Sequence, residues 1–160
     1  MVHPSARTRA TPLALDEVSK RIIEQLQEDG RRPYATIGKA VGLSEAAVRQ
    51  RVQRLVDSGV IQIVAVTDPM QLGFSRQAMI GIKVTGNLSE IADQLAEMPE
   101  VDYVVIAAGS FDLLIEVVCE DDDHLLDLIS QRIRTLPTVL TTETFVYLQL
   151  RKQLYNWGTR

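Results

Sequence analysis

At 160 residues, 46% of them hydrophobic and 24% charged, the chain has the length for one large domain or two small ones and enough apolar content to bury a core, which excludes wholesale disorder. The formal net charge of −4 conceals an asymmetry: residues 1–60 carry ten Lys/Arg against seven Asp/Glu, net +3, and residues 61–160 carry seven against fourteen, net −7. A polyanion suits the first part and the acidic remainder must face elsewhere. The single cysteine, Cys119, lies in an apolar run, which excludes a disulfide framework and reads as a packed thiol. No apolar stretch reaches the roughly 18–20 residues of a membrane span, and Met1 to Pro12 lacks the apolar centre of a secretory signal, so a soluble cytoplasmic protein is expected.

Residues 1–14 read as a flexible tail whose Arg7 and Arg9 could touch phosphate. From there Leu15, Val18, Ile22, Ile23 and Leu26 fall at helical spacing on one face, and the helix ends near Gly30. After Pro33, the residues Ile37, Ala40 and Val41 mark a short second helix stopped by Gly42. Ser44 can cap a third helix with Val48, Val52, Leu55 and Val56 inward and Gly59 at its end. Residues 15–60 thus form a three-helix, winged-type helix-turn-helix unit.

Val60 to Val66 is rich in β-branched residues and reads as a wing or as the start of an extended connector over 61–74, with a turn at Asp68-Pro69. Residues 75–150 then alternate. Ala78–Val84, Val101–Ala108, Phe111–Cys119 and Thr138–Leu150 read as strands, Leu88–Met98 and Leu125–Leu136 as helices. The order βαββαβ predicts a ferredoxin-like unit, and the fold class is α+β. Phe111, Leu113, Ile115 and Val117 should share one face of their strand, and Val104, Ile106, Leu114 and Val118 should line the sheet face that lacks helices. A bare apolar face favours dimerisation. Residues 151–160 form a C-terminal tail.

The third helix carries the strongest chemical signal. With Val48 inward, Ala46, Arg49, Gln50, Gln53 and Arg54 point outward together, where arginine can pair with guanine and glutamine with adenine in a major groove and the small Ala46 permits close approach. Arg51 projects to the flank, suited to a phosphate contact or to packing by its stem. Without the preceding short helix and the Gly42-Leu43-Ser44 turn, such a face would equally be a solvated one. Gly109, Ser110, Phe111 and Asp112 form a turn whose amides could hold a carboxylate while Asp112 meets an ammonium, the two charges of a free amino acid; the same residues also make an ordinary hairpin turn. Thr141 and Thr142 open a polar interruption of the last strand, which either lines a site or sits on an exposed edge.

Glu120 to Asp123 lacks the spacing of a calcium loop and suits the dipole of a helix start. Neither His3 nor His124 has a catalytic or zinc-ligand partner in view, and there is no phosphate-binding glycine loop, nucleophile elbow or CxxC pair. No metal, cofactor or catalytic site is expected.

Taken together, Leu15-Asp16, Ile22 to Arg31, Val41-Gly42-Leu43-Ser44, Val48 to Leu55 and Gly59-Val60-Ile61 resemble the leucine-responsive/asparagine regulator (Lrp/AsnC) family. Asp68-Pro69, Leu72-Gly73, Gly109 to Leu113 and Thr142-Glu143-Thr144 extend the resemblance to about Leu150. It implies a transcription regulator that binds a double-stranded DNA operator, dimerises through its sheets and assembles further to octamers. It also implies a small effector, commonly an amino acid, held between dimers near Gly109 to Asp112, with Thr141 and Thr142 as neighbours. One departure stands out: Ser19 occupies the place where the family usually carries a second acid after its Leu-Asp start. An architectural DNA-binding protein without an effector is the alternative, and an enzyme is disfavoured by the missing acid, base and cofactor constellation.

Overall fold

The computed structural model describes residues 14–159; the tail bearing His3, Arg7 and Arg9 lies outside them. The chain divides into two compact units, one running up to Val66 and taking in the C-terminal residues from Lys152, the other spanning Thr67–Arg151.

In the first unit α1 is Glu17–Glu28, α2 is Tyr34–Val41 and α3 is Glu45–Asp57. Each boundary has a local cause. The Asp16 carboxylate accepts from the Ser19 amide at the start of α1, the Ser44 hydroxyl accepts from the Ala47 amide at the start of α3, and Gly42 ends α2 with φ 75°. The inward residues Ile22, Ile37, Val41, Val48 and Val52 form one core, against which Val18, Leu26 and Leu43 pack. Each such side chain contributes roughly 1.5–3 kcal/mol relative to leaving it in water. Val56, expected inward, is 38% exposed. Gly38 is required by contact rather than by backbone angle: a Cβ there would lie 2.5 Å from the Leu43 carbonyl oxygen, so only glycine lets α2 approach the turn this closely.

Val60 to Val66 carries neither helix nor ladder and is exposed except at Ile61, so the segment is a connector without a strand partner among the described residues. The C-terminal residues return to α1, where Gly158 donates its amide to Gln27 Oε1 (3.2 Å) and the Thr159 hydroxyl donates to Glu24 Oε1 (2.5 Å). No helix of the described residues is long and apolar enough to cross a membrane.

The second unit opens with a 3-10 turn, Pro69–Leu72, and continues as β1 (Arg76–Val84), α4 (Leu88–Ala96), β2 (Val101–Ile106), β3 (Leu113–Cys119), α5 (Asp122–Asp127) and β4 (Val139–Val146). The sheet is antiparallel, in the order β2-β3-β1-β4. This is the expected α+β, βαββαβ unit. Ile91 and Leu95 of α4 and Leu125 of α5 pack with Leu128 and Ile133 on Ala78, Ile80, Ile82, Leu113, Ile115 and Val117, so both helices cover one face of the sheet.

Three expectations are corrected here. The last helix is not one α-helix over Leu125–Leu136: it begins earlier, because Asp121 caps it through the His124 amide, and passes into a π-helical turn at Leu128–Ile133. Val104 and Ile106 do not line the open face. An irregularity between Val101 and Tyr103 shifts β2 by one residue, placing Val104 opposite Ile115 and Ile106 opposite Leu113, both on the helix side, while Tyr103 and Val105 take the open face beside Glu116 and Leu114. Phe111 precedes β3 instead of sharing a face with Leu113; its ring lies against Gly81, where a Cβ would approach it to 2.5 Å, and meets Phe145 edge-on at 6.4 Å.

Candidate nucleic-acid interface

The outward face of α3 follows from its burial pattern. Val48, Val52 and Leu55 are buried, and Ala46, Arg49, Gln50, Gln53 and Arg54 are all exposed. The five long or small residues expected to face a groove thus share one solvent-facing surface, with Ser44 at its N-terminal end. Their environments differ. Arg49 Nη2 donates to Glu45 Oε1 (2.9 Å) and its guanidinium lies over the Tyr34 ring, 5.3 Å from the centroid. Gln53 donates to Asp57 (2.8 Å). Gln50 and Arg54 make no side-chain hydrogen bond among the described residues.

Arg51 is placed differently. Its Nη1 donates to Asp16 Oδ2 (2.7 Å) and to the Ser19 hydroxyl (3.1 Å), tying α3 to the cap of α1. The bonds from Ser19, side chain and backbone, and then from Arg51, hold the Asp16 carboxyl down to about 2. Of the two roles open to Arg51 from sequence, phosphate contact or packing, the guanidinium is engaged inside the protein.

In the second unit, Gly109 and Ser110 are exposed between β2 and β3. Asp112 is not a solvent decoration. Its Oδ2 accepts from the Val84 amide (3.0 Å), its amide donates to the Ile82 carbonyl (3.0 Å), and its carbonyl accepts from Ala107 (2.9 Å). The β1–β3 ladder ends at Ile82 opposite Leu113, so the Val84 amide, on the β3 side of β1, has no ladder carbonyl, and the carboxylate takes that place. Thr141 and Thr142 lie opposite Lys83 and Ile82, hence on opposite faces of the sheet; Thr142 accepts from Arg134 Nε (2.9 Å) on the helix side, and only Thr141 shares the open face that Phe111 and Phe145 occupy. The two threonines cannot line one side of a single site.

Comparison with known proteins decides the family. Residues 15–56 match the AsnC-type helix-turn-helix domain, and residues 74–160, more than half the chain, match the AsnC-type C-terminal dimeric alpha+beta barrel domain. The chain belongs to the AsnC/Lrp family of transcriptional regulators. It is similar to the HTH-type transcriptional regulator FL11 of Pyrococcus horikoshii, 38% identical over 144 residues that cover 87% of this chain and 93% of the relative. It is likewise similar to the proline dehydrogenase transcriptional activator of Rhizobium radiobacter, 33% identical with 87% and 92% covered. The structure of E. coli AsnC superposes with a TM-score of 0.77 at 25% identity, covering 89% of this chain and 98% of that one.

The departure of this AsnC/Lrp regulator at Ser19 has a structural counterpart. Ser19 is buried, accepts from Arg51 and donates its amide to Asp16, so one carboxylate and one hydroxyl share the arginine. A second group in the regulator left no sequence signal. Glu100, just before β2, accepts at Oε1 from Arg132 (2.6 Å), carried on the π-helical turn, and lies 3.1 Å from His124 Nε2. Burial pushes its carboxyl up, but the bonds from Arg132 and His124 outweigh it and leave the group below its ordinary value. Burial, with Glu100 and Asp121 nearby, pushes the Cys119 thiol up to about 11, an unreactive packed group.

Proposed function

We propose that this regulator reads double-stranded DNA operators by laying α3 in the major groove, with Arg49, Gln50, Gln53 and Arg54 facing base edges, Ala46 allowing close approach and Ser44 at the backbone. The observation that carries the reading is the exposed face shared by these residues, opposite Val48, Val52 and Leu55 and directly after the Gly42 turn. Arg51 acts through Asp16, orienting α3 on α1. Paired half-sites require at least a dimer, formed through the open sheet face of the second unit, and assembly proceeds to octamers. DNA selected from a random pool by the full chain tests the reading: it should yield a pseudo-palindrome whose preferences Arg49→Ala and Gln50→Ala relax. A pool without any enriched sequence contradicts it.

The same proposal gives the second unit a small effector, an amino acid, near Gly109, Ser110, Phe111, Asp112 and Thr141. The supports are the exposed residues Gly109 and Ser110, close in sequence to the Asp112 carboxylate, and a relative named as a proline dehydrogenase transcriptional activator. A thermal-shift screen of the twenty amino acids tests it, because a ligand that binds only the folded state raises its midpoint. No shift and no change of assembly with any of them would favour an architectural protein without an effector.

A further inference from the structure

Arg49 has a platform that the other outward residues of α3 lack. Tyr34 is the first residue of α2; its ring is half-buried and packs against the core of the first unit. Pro33 immediately before it restricts the backbone there. The guanidinium, on a side chain 66% exposed, lies over this ring at 5.3 Å. Glu45 holds the same guanidinium from one turn earlier on α3, at 2.9 Å.

The two supports respond differently to an approaching polyanion. Glu45 is negative and exposed, so phosphates repel it and compete for its partner. The ring is neutral, is fixed by the core, and attracts the cation through its negative face while leaving the planar donor edge free to pair with a base. We infer that Tyr34 is a specificity-determining positioning residue: it touches no base, but it holds the Arg49 guanidinium in the orientation in which that arginine reads one. This rests on the reading that α3 enters the groove. Tyr34 would then matter at one position of each half-site only, whereas a tyrosine that merely filled the core would affect every sequence alike.

The experiment uses the full chain, the operator selected above, and duplexes altered at the one base pair whose identity ceases to matter in Arg49→Ala. Tyr34→Phe keeps the ring, and phenylalanines bearing one to three ring fluorines at position 34 keep its shape while draining its negative face, so folding is not in question. Discrimination at that base pair should stay near wild type in Tyr34→Phe and fall stepwise with fluorination, by about two- to five-fold across the series, with affinity for the altered duplex and the thermal midpoint unchanged. In an Arg49→Ala background the same series should be flat. Discrimination independent of fluorination, in a protein whose Arg49→Ala variant does lose a base preference, overturns the positioning role alone. An Arg49→Ala variant that retains every base preference overturns the groove reading and the positioning role with it.

Discussion

Replacing Asp112 separates two roles that coincide in one carboxylate. In the folded chain Asp112 Oδ2 accepts the Val84 amide at 3.0 Å, just beyond the last β1–β3 pair, Ile82 opposite Leu113, where no ladder carbonyl is available to that amide. Val84 is 9% exposed, so in Asp112→Ala its amide loses a charge-assisted bond with little water to replace it. Because Asp112 itself stays partly open to solvent, the lower part of the usual 1–3 kcal/mol range applies, about 1–2 kcal/mol. In a unit of this size that corresponds to roughly 4–8 °C of midpoint per kcal/mol. Asp112→Asn retains an acceptor oxygen and removes only the charge, so it should lose less than about 1 kcal/mol. If the same carboxylate also meets the ammonium of an effector, both variants should lose the effector-induced shift, Asn as fully as Ala. Thermal unfolding with and without the effector from the amino-acid screen, beside sedimentation of the same samples, reads both quantities. An Asp112→Ala protein with an unchanged midpoint refutes the structural argument, and an Asp112→Asn protein with a wild-type effector response removes Asp112 from the site.

Two further outcomes follow from the first unit. Gly38→Ala should destabilise it by about 1–3 kcal/mol despite alanine's better helix propensity, because the new Cβ meets a backbone oxygen that the Leu43 amide's bond to the Gly38 carbonyl keeps in place; denaturant unfolding of the full chain checks this. Asp16, held down to about 2 in the folded chain, contributes stability that is present above its ordinary value near 3.8 and is lost as pH falls toward 2. The loss of stability over that window, followed by circular dichroism, should be shallower in Arg51→Met and in Ser19→Ala.

The helical unit was legible because its signals are local. Helical spacing picked out Ile22, Val48, Val52 and Leu55, and Ser44 and Gly42 carry the capping chemistry that their positions suggested. The βαββαβ order was legible for the same reason. What escaped depends on partners distant in the chain. Nothing in Val101-Asp102-Tyr103-Val104 announces a shift of register, so the face of Val104 was misread. Phe111 fits the alternation of β3 by pattern, and only the space above Gly81, thirty positions earlier, draws it to the other side. Arg51 finds Asp16, Asp112 finds the Val84 amide, and Glu100 gathers His124 and Arg132; each pairs groups distant in the chain with no characteristic spacing. Tyr34 under Arg49 is of the same kind.

The central claim is that the outward face of α3 distinguishes an operator from other DNA. Equilibrium binding of the full chain and of its Arg49→Ala/Arg54→Ala variant to the selected operator and to an unrelated duplex, over a range of salt concentrations, tests it most directly. Both arginines are exposed and lie outside the core, so the variant should fold as the parent does. A lost base contact is worth about 1–3 kcal/mol, and a lost phosphate contact lowers the salt slope by about one. The ratio of operator to unrelated affinity should therefore fall at least about fivefold in the variant. An unchanged ratio, in a variant with the parent's thermal midpoint, would contradict the assignment of α3 as the reading element.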